Sequence, residues 1–265
     1  MAPTSILFYK DVGHSQEGAQ EVVSLFGDKG VFDGPKPVRL LERLITLANL
    51  KEDSIVLDFF SGSATTAHAV MKKNAEKAKH SRFIMVQLPE EVSDKKKDQG
   101  YKNICEIGKE RIRRAGAKIK ADSPLTTQHL DTGFRVLKLD SSNMKDVFYS
   151  PKETSQLELF TLVDNVKDDR TSEDLLFQVM LELSATLDSK IEESVVDGKT
   201  IYNVAEGYLV ACFDQEVSDD VVKAIAKMQP TYAVLRDTSL VDDATATNFE
   251  QIFKTYAPNT TTKIL

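Results

Sequence analysis

In the stretch LDFFSGSATTAH, Leu57 to His68, an acid, a glycine set between serines and a pair of threonines follow one another within a few residues. Those types at that spacing suit a site that holds a ligand by backbone amides. Asp58 closes an apolar run, Gly62 lets the backbone pass close to a ligand, and Thr65-Thr66 open a helix whose first amides have no intrahelical acceptor. Ser61, Ser63 and Ala64 keep the turn narrow. A carboxylate or phosphate at such a helix start gains about 0.3–1 kcal/mol from the unpaired N–H groups and the helix dipole. An anionic group is expected to dock there.

Other chemistries fit these residues less well. A P-loop needs G-x-x-x-x-G-K-[ST]; no such run follows Gly62, and Gly198-Lys199-Thr200 lacks the upstream glycine and follows no good strand. A dinucleotide fingerprint wants three glycines and an acid roughly 20 residues on, whereas one glycine is present and Gln87 lies about thirty residues beyond Asp58, which disfavours an NAD-dependent oxidoreductase. Ser63 and His68 have no acid placed to support a hydrolase dyad. His14, His68, His80 and His129 lack metal-ligand spacing, and Cys105 and Cys212 are too far apart in sequence to suggest a disulfide framework or a metal pair, so no metal is expected. Taken alone, Phe59, Phe60 and both cysteines are expected in the core, Lys36 on the surface and His68 as a packed helix residue.

The elements that would position the turn read as an α/β unit. PKPVRLLERLITLANL has helical spacing of its apolar residues beside Pro37, SIVLDFF reads as a strand buried on both sides, and SGSATTAHAVMKKNAEKA as turn and helix. RFIMVQLPE supplies a second strand, stopped by Pro89, and KNICEIGKERIRRAGAKI a further helix with Ile104, Cys105, Ile107, Ile112 and Ala115 on its apolar side. This alternation is that of a doubly wound sheet, in which ligands sit beyond the carboxyl ends of the strands. A polar linker, residues 121–132, follows. Beyond it GFRVLKLD alternates like a half-buried strand, and EDLLFQVMLELSATL forms an amphipathic helix. Two β-rich runs hinge at Glu206-Gly207, Ser218 caps a helix, TYAVLRD is a strand and ATNFEQIFKTYA a helix. This second part, residues 133–265, is expected to be a smaller α+β or mixed α/β domain. The acidic loop near Asp164 to Asp174 is a candidate flexible tip.

With 265 residues and 41% hydrophobic content the chain can form two cores. No apolar run approaches the roughly 18 residues of a membrane span and no secretory signal opens the chain, so a cytoplasmic protein with no membrane association is expected. The net charge of −7 is uneven: residues 1–120 carry 21 Lys+Arg and 16 Asp+Glu, leaving 13 and 25 for residues 121–265. Lys95 to Lys120 holds ten bases against three acids, which suits either a polyanion or a solvated helix face.

DFFSGSATTAHAV resembles the S-adenosylmethionine-binding turn of amino-directed DNA methyltransferases, in the form found in the modification (Mod) subunits of type III restriction-modification systems. FDGPKPVRLLERLI is similar to the family's motif that precedes the turn, FIMVQLPE to its next strand, and ERIRRAG follows in order; together these span roughly residues 20–120. From Gly133 onward GFRVLKLDSSN, EDLLFQVML, YAVLRD and Asn-Phe-Glu-Gln-Ile-Phe resemble the family's C-terminal domain more diffusely. The resemblance implies part of a Rossmann-like methyltransferase sheet in residues 1–120, with S-adenosylmethionine as cofactor. It implies that Asp58 orders the turn, that Phe60, Ser61, Gly62 and Ser63 wrap the methionine and sugar, and that Thr65 and Thr66 stand near the carboxylate. Gln87 falls where relatives place an acid for the ribose hydroxyls, Lys36 and Pro37 match the preceding motif, and Phe32 would pack beside the adenine or methionine. In the intact enzyme DNA would be the substrate, and a second Mod copy and the Res helicase-nuclease subunit the partners.

Two departures qualify the resemblance. Ala64 replaces a glycine, which is harmless if that position is helical and costs on the order of 1 kcal/mol if its φ is positive. The family transfers methyl groups to an adenine amine through a [DNS]-P-P-[YFW] loop, and all eight prolines here stand separately. That loop and the target-recognition region precede the Lys-Pro motif in the family, and only the first thirty or so residues precede it here. The chain is therefore expected to be the C-terminal portion of such an enzyme, a fragment or a truncated product, carrying the cofactor motifs but no catalytic residue and inactive alone. The alternative is a non-catalytic assembly module for Mod dimerisation or Res binding.

Overall fold

A computed structural model describes residues 6–28, 30–145, 165–239 and 243–265, the side chains of 243–246 excepted. The chain forms two compact units, Met1–Phe134 and Arg135–Leu265.

In the first unit, helices α1 (Tyr9–Val12), α2 (Ser15–Phe26) and α3 (Val38–Ala48) precede strand β1 (Ile55–Asp58). Helix α4 (Thr65–Lys77) then leads to strand β2 (Arg82–Met85), short helix α5 (Asp94–Asp98) and the long helix α6 (Ile104–Asp122). β1 and β2 pair in parallel, Ile55 opposite Arg82 and Asp58 opposite Met85. Pro37 is the N-cap of α3 and not its first turn, and the carboxylate of Glu21 on α2 takes the Val38 amide at 3.0 and 3.1 Å. α6 is capped by Asn103, whose side chain accepts the Glu106 amide, and runs on through Ala121 and Asp122, the first residues of the expected linker.

Alternate residues of the two strands meet different surroundings. Val56, Phe83 and Met85 pack on Val38, Ile45, Ala67, Val70 and Met71 of α3 and α4, with Ile112 and Ala115 of α6 joining this layer. On the opposite face Ile55 is 52% exposed, Leu57 51% and Ile84 50%, with Val86 continuing the patch. The expectation of strands buried on both sides is thus corrected: helices cover one face, and no described residue of this unit covers the other. The mixed α/β order was legible, because unbroken apolar runs and helical periodicity are local properties.

The second unit holds a five-stranded sheet in the order β3 (Ile191–Val196), β4 (Lys199–Val204), β5 (Leu209–Cys212), β6 (Tyr232–Leu235), β7 (Thr261–Ile264). The first three strands are antiparallel, and β5, β6 and β7 run parallel through crossover helices α8 (Asp219–Lys227) and α9 (Asp243–Tyr256). Helix α7 (Ser172–Glu182) starts on a full capping box between Thr171 and Asp174. Ile201, Val210, Cys212, Ala233 and Leu235 face the α8 and α9 side chains, while Val204, Leu209, Ala211 and Val234 face Leu175, Leu176, Val179 and Met180 of α7. The central strands of this sheet are covered on both faces.

Two expectations fail in this unit. GFRVLKLD forms no strand, since no described neighbour offers it a ladder, and alternation without a partner does not make a sheet. Gly198-Lys199-Thr200 does follow a strand, β3; Asp197 and Gly198, at φ 50 and 73, turn a hairpin that sends Lys199 and Thr200 into β4, so the segment still opens no phosphate-binding helix. Of the acidic loop, Asp164 lies outside the described residues. From Asn165 on it is tied by the bridge of Met144 to Val166 and by ion pairs of Lys145 with Asp168 and Arg170 with Asp140. Among the described residues no helix is long and apolar enough to cross a membrane, and no cluster of His, Cys, Asp or Glu could hold a metal.

Candidate functional site

The turn after β1 is built around Asp58. One carboxylate oxygen accepts the Phe60 amide at 3.1 Å, and the other accepts the Thr66 hydroxyl at 2.6 Å. A strand end is thereby tied to the start of the helix eight residues on. Gly62, at φ 51, donates its amide to Gln87 Oε1 at 2.8 Å, and the Ser61 amide donates to the Val86 carbonyl at 3.2 Å. A Cβ on Gly62 would stand 3.1 Å from the Phe32 ring, so that ring lies directly on the turn. Ala64 has φ 59, the left-handed conformation in which alanine is strained.

Phe32, Asp58, Ser61, Gly62, Ser63, Thr65, Thr66 and Gln87 therefore come together. Both ends of the Gln87 amide are engaged within the chain, its nitrogen donating to the Leu88 carbonyl at 3.2 Å. Phe59 and Phe60 are 62% and 86% exposed, which corrects their expected place in the core: they lie in the turn after the strand has ended, outside the packed layer of α3, α4 and α6. Lys36 is exposed and Pro37 buried, at the start of α3 and without a direct bond to the turn. Cys212 is fully buried, as expected, and burial pushes its thiol up to about 11. Cys105 is only partly buried, its thiol 3.4 Å from the Gln87 carbonyl.

Sequence reasoning missed Arg111. It is 0% exposed, and its Nη1 donates to Ser63 Oγ and to Thr65 Oγ1, each at 2.8 Å. Nη2 lies 3.7 Å from Glu21, and Nε and Nη2 have no hydrogen-bond acceptor. Burial brings the guanidinium down to about 10, only partly opposed by Glu21, and burial also raises the Glu21 carboxyl. Both shifts favour the neutral forms, so at 3.7 Å the attraction within the pair does not make up for lost hydration. The signal was present in the helix period: Arg111 stands four residues from both Ile107 and Ala115, on the apolar stripe of α6. His68, one turn into α4, is held down to about 3 by burial, with Arg111, Lys72 and Lys118 adding repulsion; it is neutral at physiological pH, and its Nδ1 has no partner.

The basic run on α5 and α6 is largely spent within the unit. Lys96 pairs with Asp33, Lys97 with Glu91, Lys109 with Glu106 and Arg114 with Glu110, while Arg114 also stacks on Phe26 and Arg113 on Phe134. A free polyanion surface does not follow from it.

Comparison with known proteins adds a family to this geometry. Residues 5–114 match the DNA methylase family. The type III restriction-modification enzyme StyLTI Mod subunit of Salmonella typhimurium is 45% identical over 130 residues, 48% of this chain and 19% of that protein. The EcoPI Mod subunit of Escherichia phage P1 is 38% identical over 137 residues, and the EcoP15I Mod subunit of Escherichia coli 37% over 139, each over 51% of this chain. The match spans about a fifth of the length of these relatives.

Proposed function

We propose that this chain, whose residues 5–114 match the DNA methylase family and which is similar to type III Mod subunits, is the cofactor-binding portion of an adenine-directed DNA methyltransferase that uses S-adenosylmethionine. The observation that carries the reading is the Asp58 turn, in which one carboxylate fixes both the Phe60 amide and the Thr66 hydroxyl and holds a narrow, glycine-relaxed loop beyond a parallel strand. In this reading Phe32, Lys36, Pro37, Asp58, Phe60, Ser61, Gly62, Ser63, Thr65, Thr66 and Gln87 line or frame the cofactor site. The exposed Phe60 ring is free to lie against a ligand, and Gln87 exchanges its bond to Gly62 for ribose hydroxyls.

Methyl transfer needs a polar group and carbonyl to accept hydrogen bonds from the adenine amine and an aromatic ring to stack on the flipped base. The sequence has no Pro-Pro loop to supply them. The isolated chain binds the cofactor and does not methylate DNA. Calorimetry with S-adenosylmethionine and S-adenosylhomocysteine, run beside incorporation of labelled methyl groups into DNA, tests both halves. Binding without incorporation is expected; no binding at millimolar ligand overturns the cofactor reading, and incorporation by pure protein overturns the inactive one.

A second reading has its own observation. The uncovered apolar face of Ile55, Leu57, Ile84 and Val86 suits a chain that works in an assembly, as a Mod dimer or with a Res subunit. The acid-rich second unit, poor in the bases that grip phosphate, is suited to protein contacts more than to DNA.

A further inference from the structure

The start of α4 carries an electrostatic conflict. A helix N-terminus is the positive end of the helix dipole and leaves its first amides without intrahelical acceptors. Against that end the chain buries a cation, Arg111, at 0% exposure. The one carboxylate within ion-pair distance of it among the described residues is Glu21, at 3.7 Å, and both Glu21 oxygens are engaged with the Val38 amide. Two nitrogens of the guanidinium, Nε and Nη2, have no acceptor. Unsatisfied buried donors cost about 1–3 kcal/mol and more when charged, so such a group is retained where it serves something beyond packing.

Its bonds show what it serves. A hydroxyl oxygen that accepts from a guanidinium must direct its own proton elsewhere. Ser63 Oγ and Thr65 Oγ1 both accept from Arg111 Nη1 and lie 3.4 Å apart, so at most one of their protons can go to the other hydroxyl. At least one O–H is left to donate away from the arginine, beside the free amides of the first turn. Hydroxyl, amides and buried charge then favour negative charge at the same end of the helix.

We propose that Arg111 is a positioning residue that orients the Ser63 and Thr65 hydroxyls as donors and so makes the turn selective for ligands bearing a carboxylate. The inference rests on the cofactor reading above and deepens it: the nucleoside is held elsewhere on the turn, and Arg111 acts only on the amino-acid end. Arg111 is fully buried and acts through the two hydroxyls.

The test uses the full 265-residue chain and two probes, S-adenosylhomocysteine and 5′-methylthioadenosine, which share the thioether nucleoside and differ in the amino-acid group. Arg111→Met is expected to weaken S-adenosylhomocysteine roughly 10- to 100-fold, the range for a hydrogen bond to a charged group, and to leave 5′-methylthioadenosine within about twofold. Arg111→Lys should recover part of the loss. Ser63→Ala, which keeps the buried charge and removes one hydroxyl, gives the same selective loss on a smaller scale and serves if Arg111→Met fails to fold. Equal weakening of both probes, or no weakening of either, overturns the role of Arg111 and leaves the cofactor reading standing. A wild-type chain that binds the two probes equally does the same. A wild-type chain that binds neither overturns the cofactor reading, and the inference falls with it.

Discussion

Strand β5, Leu-Val-Ala-Cys, and strand β1, Ile-Val-Leu-Asp, are four-residue apolar strands of similar composition in the two units. Every residue of β5 is buried, with Leu209 and Ala211 under α7 and Val210 and Cys212 under α8 and α9. In β1 only Val56 is packed in a core cluster, while Ile55 and Leu57 face outward and uncovered. A parallel sheet requires cover on both faces because its strands carry apolar residues on both. The second unit supplies that cover from its own helices; the first, with α3, α4 and α6 on one side, does not. What differs is what surrounds the strands, and the half-covered sheet is the one that carries the turn.

The largest expected effect sets these strands against each other. Leu209→Ala removes a fully buried side chain from the second unit and should cost about 2–5 kcal/mol. Leu57→Ser removes a half-exposed one from the first and should change stability by no more than about 0.5 kcal/mol, while lowering the binding of a hydrophobic dye. Hydrogen exchange followed peptide by peptide reports the two units separately. If Leu57→Ser opens the first unit as far as Leu209→Ala opens the second, the open face is closed in solution and the contrast is lost.

The same pair of strands marks how far the sequence could be read. Helices α3, α4 and α6 of the first unit, its two parallel strands and the turn at Asp58 follow from local pattern: periodicity, a strand-ending acid, a glycine where φ is positive; α1, α2 and α5 were not expected. Cover on the far face of β1 depends on distant parts of a chain, and an apolar run looks alike whether or not anything packs on it. GFRVLKLD shows the converse, a pattern suited to a strand with no ladder to join. Arg111 escaped because a basic residue within a basic run draws no notice until it is placed by helical period between Ile107 and Ala115. Glu21 lies far upstream of the turn, and no local pattern connects the two.

An intermediate effect separates the units by pH. His68 belongs to the first unit, and its folded pKa of about 3 lies below the ordinary 6.5. An imidazole kept neutral when folded takes up a proton more readily when unfolded, so its stabilising contribution is present above pH 6.5 and is lost as pH falls from there toward 3. Between pH 7 and pH 5 this amounts to at most about 2 kcal/mol. Glu21, raised by burial, works in the opposite sense, contributing below its unfolded value near 4.5 and losing that contribution as pH rises through its folded value. The measurement is therefore the difference between wild type and His68→Gln in urea midpoints at the two pH values. A shallower pH dependence in His68→Gln, confined to the first unit, is expected; identical slopes would show that the imidazole titrates normally.

The smallest effect concerns the turn itself. Ala64 sits at φ 59 and ψ 38, where an L side chain crowds the following carbonyl and glycine does not. Its methyl is buried in the cluster of Ala67, Met71, Ile112 and Ala115, so removing it forfeits packing. Ala64→Gly relieves backbone strain of about 1 kcal/mol and loses a similar amount to the forfeited methyl and to the greater freedom of glycine in the unfolded chain, leaving a net change within about 0.5 kcal/mol. The exchange of the α4 amides is the sensitive probe, because the turn immediately precedes that helix. If Ala64→Gly slows their exchange and also tightens S-adenosylhomocysteine, the turn of the half-covered unit is strained in a way that opposes its ligand. Should exchange slow while affinity is unchanged, the strain belongs to the fold alone, and the hydroxyls and amides of the site are already placed as the ligand requires.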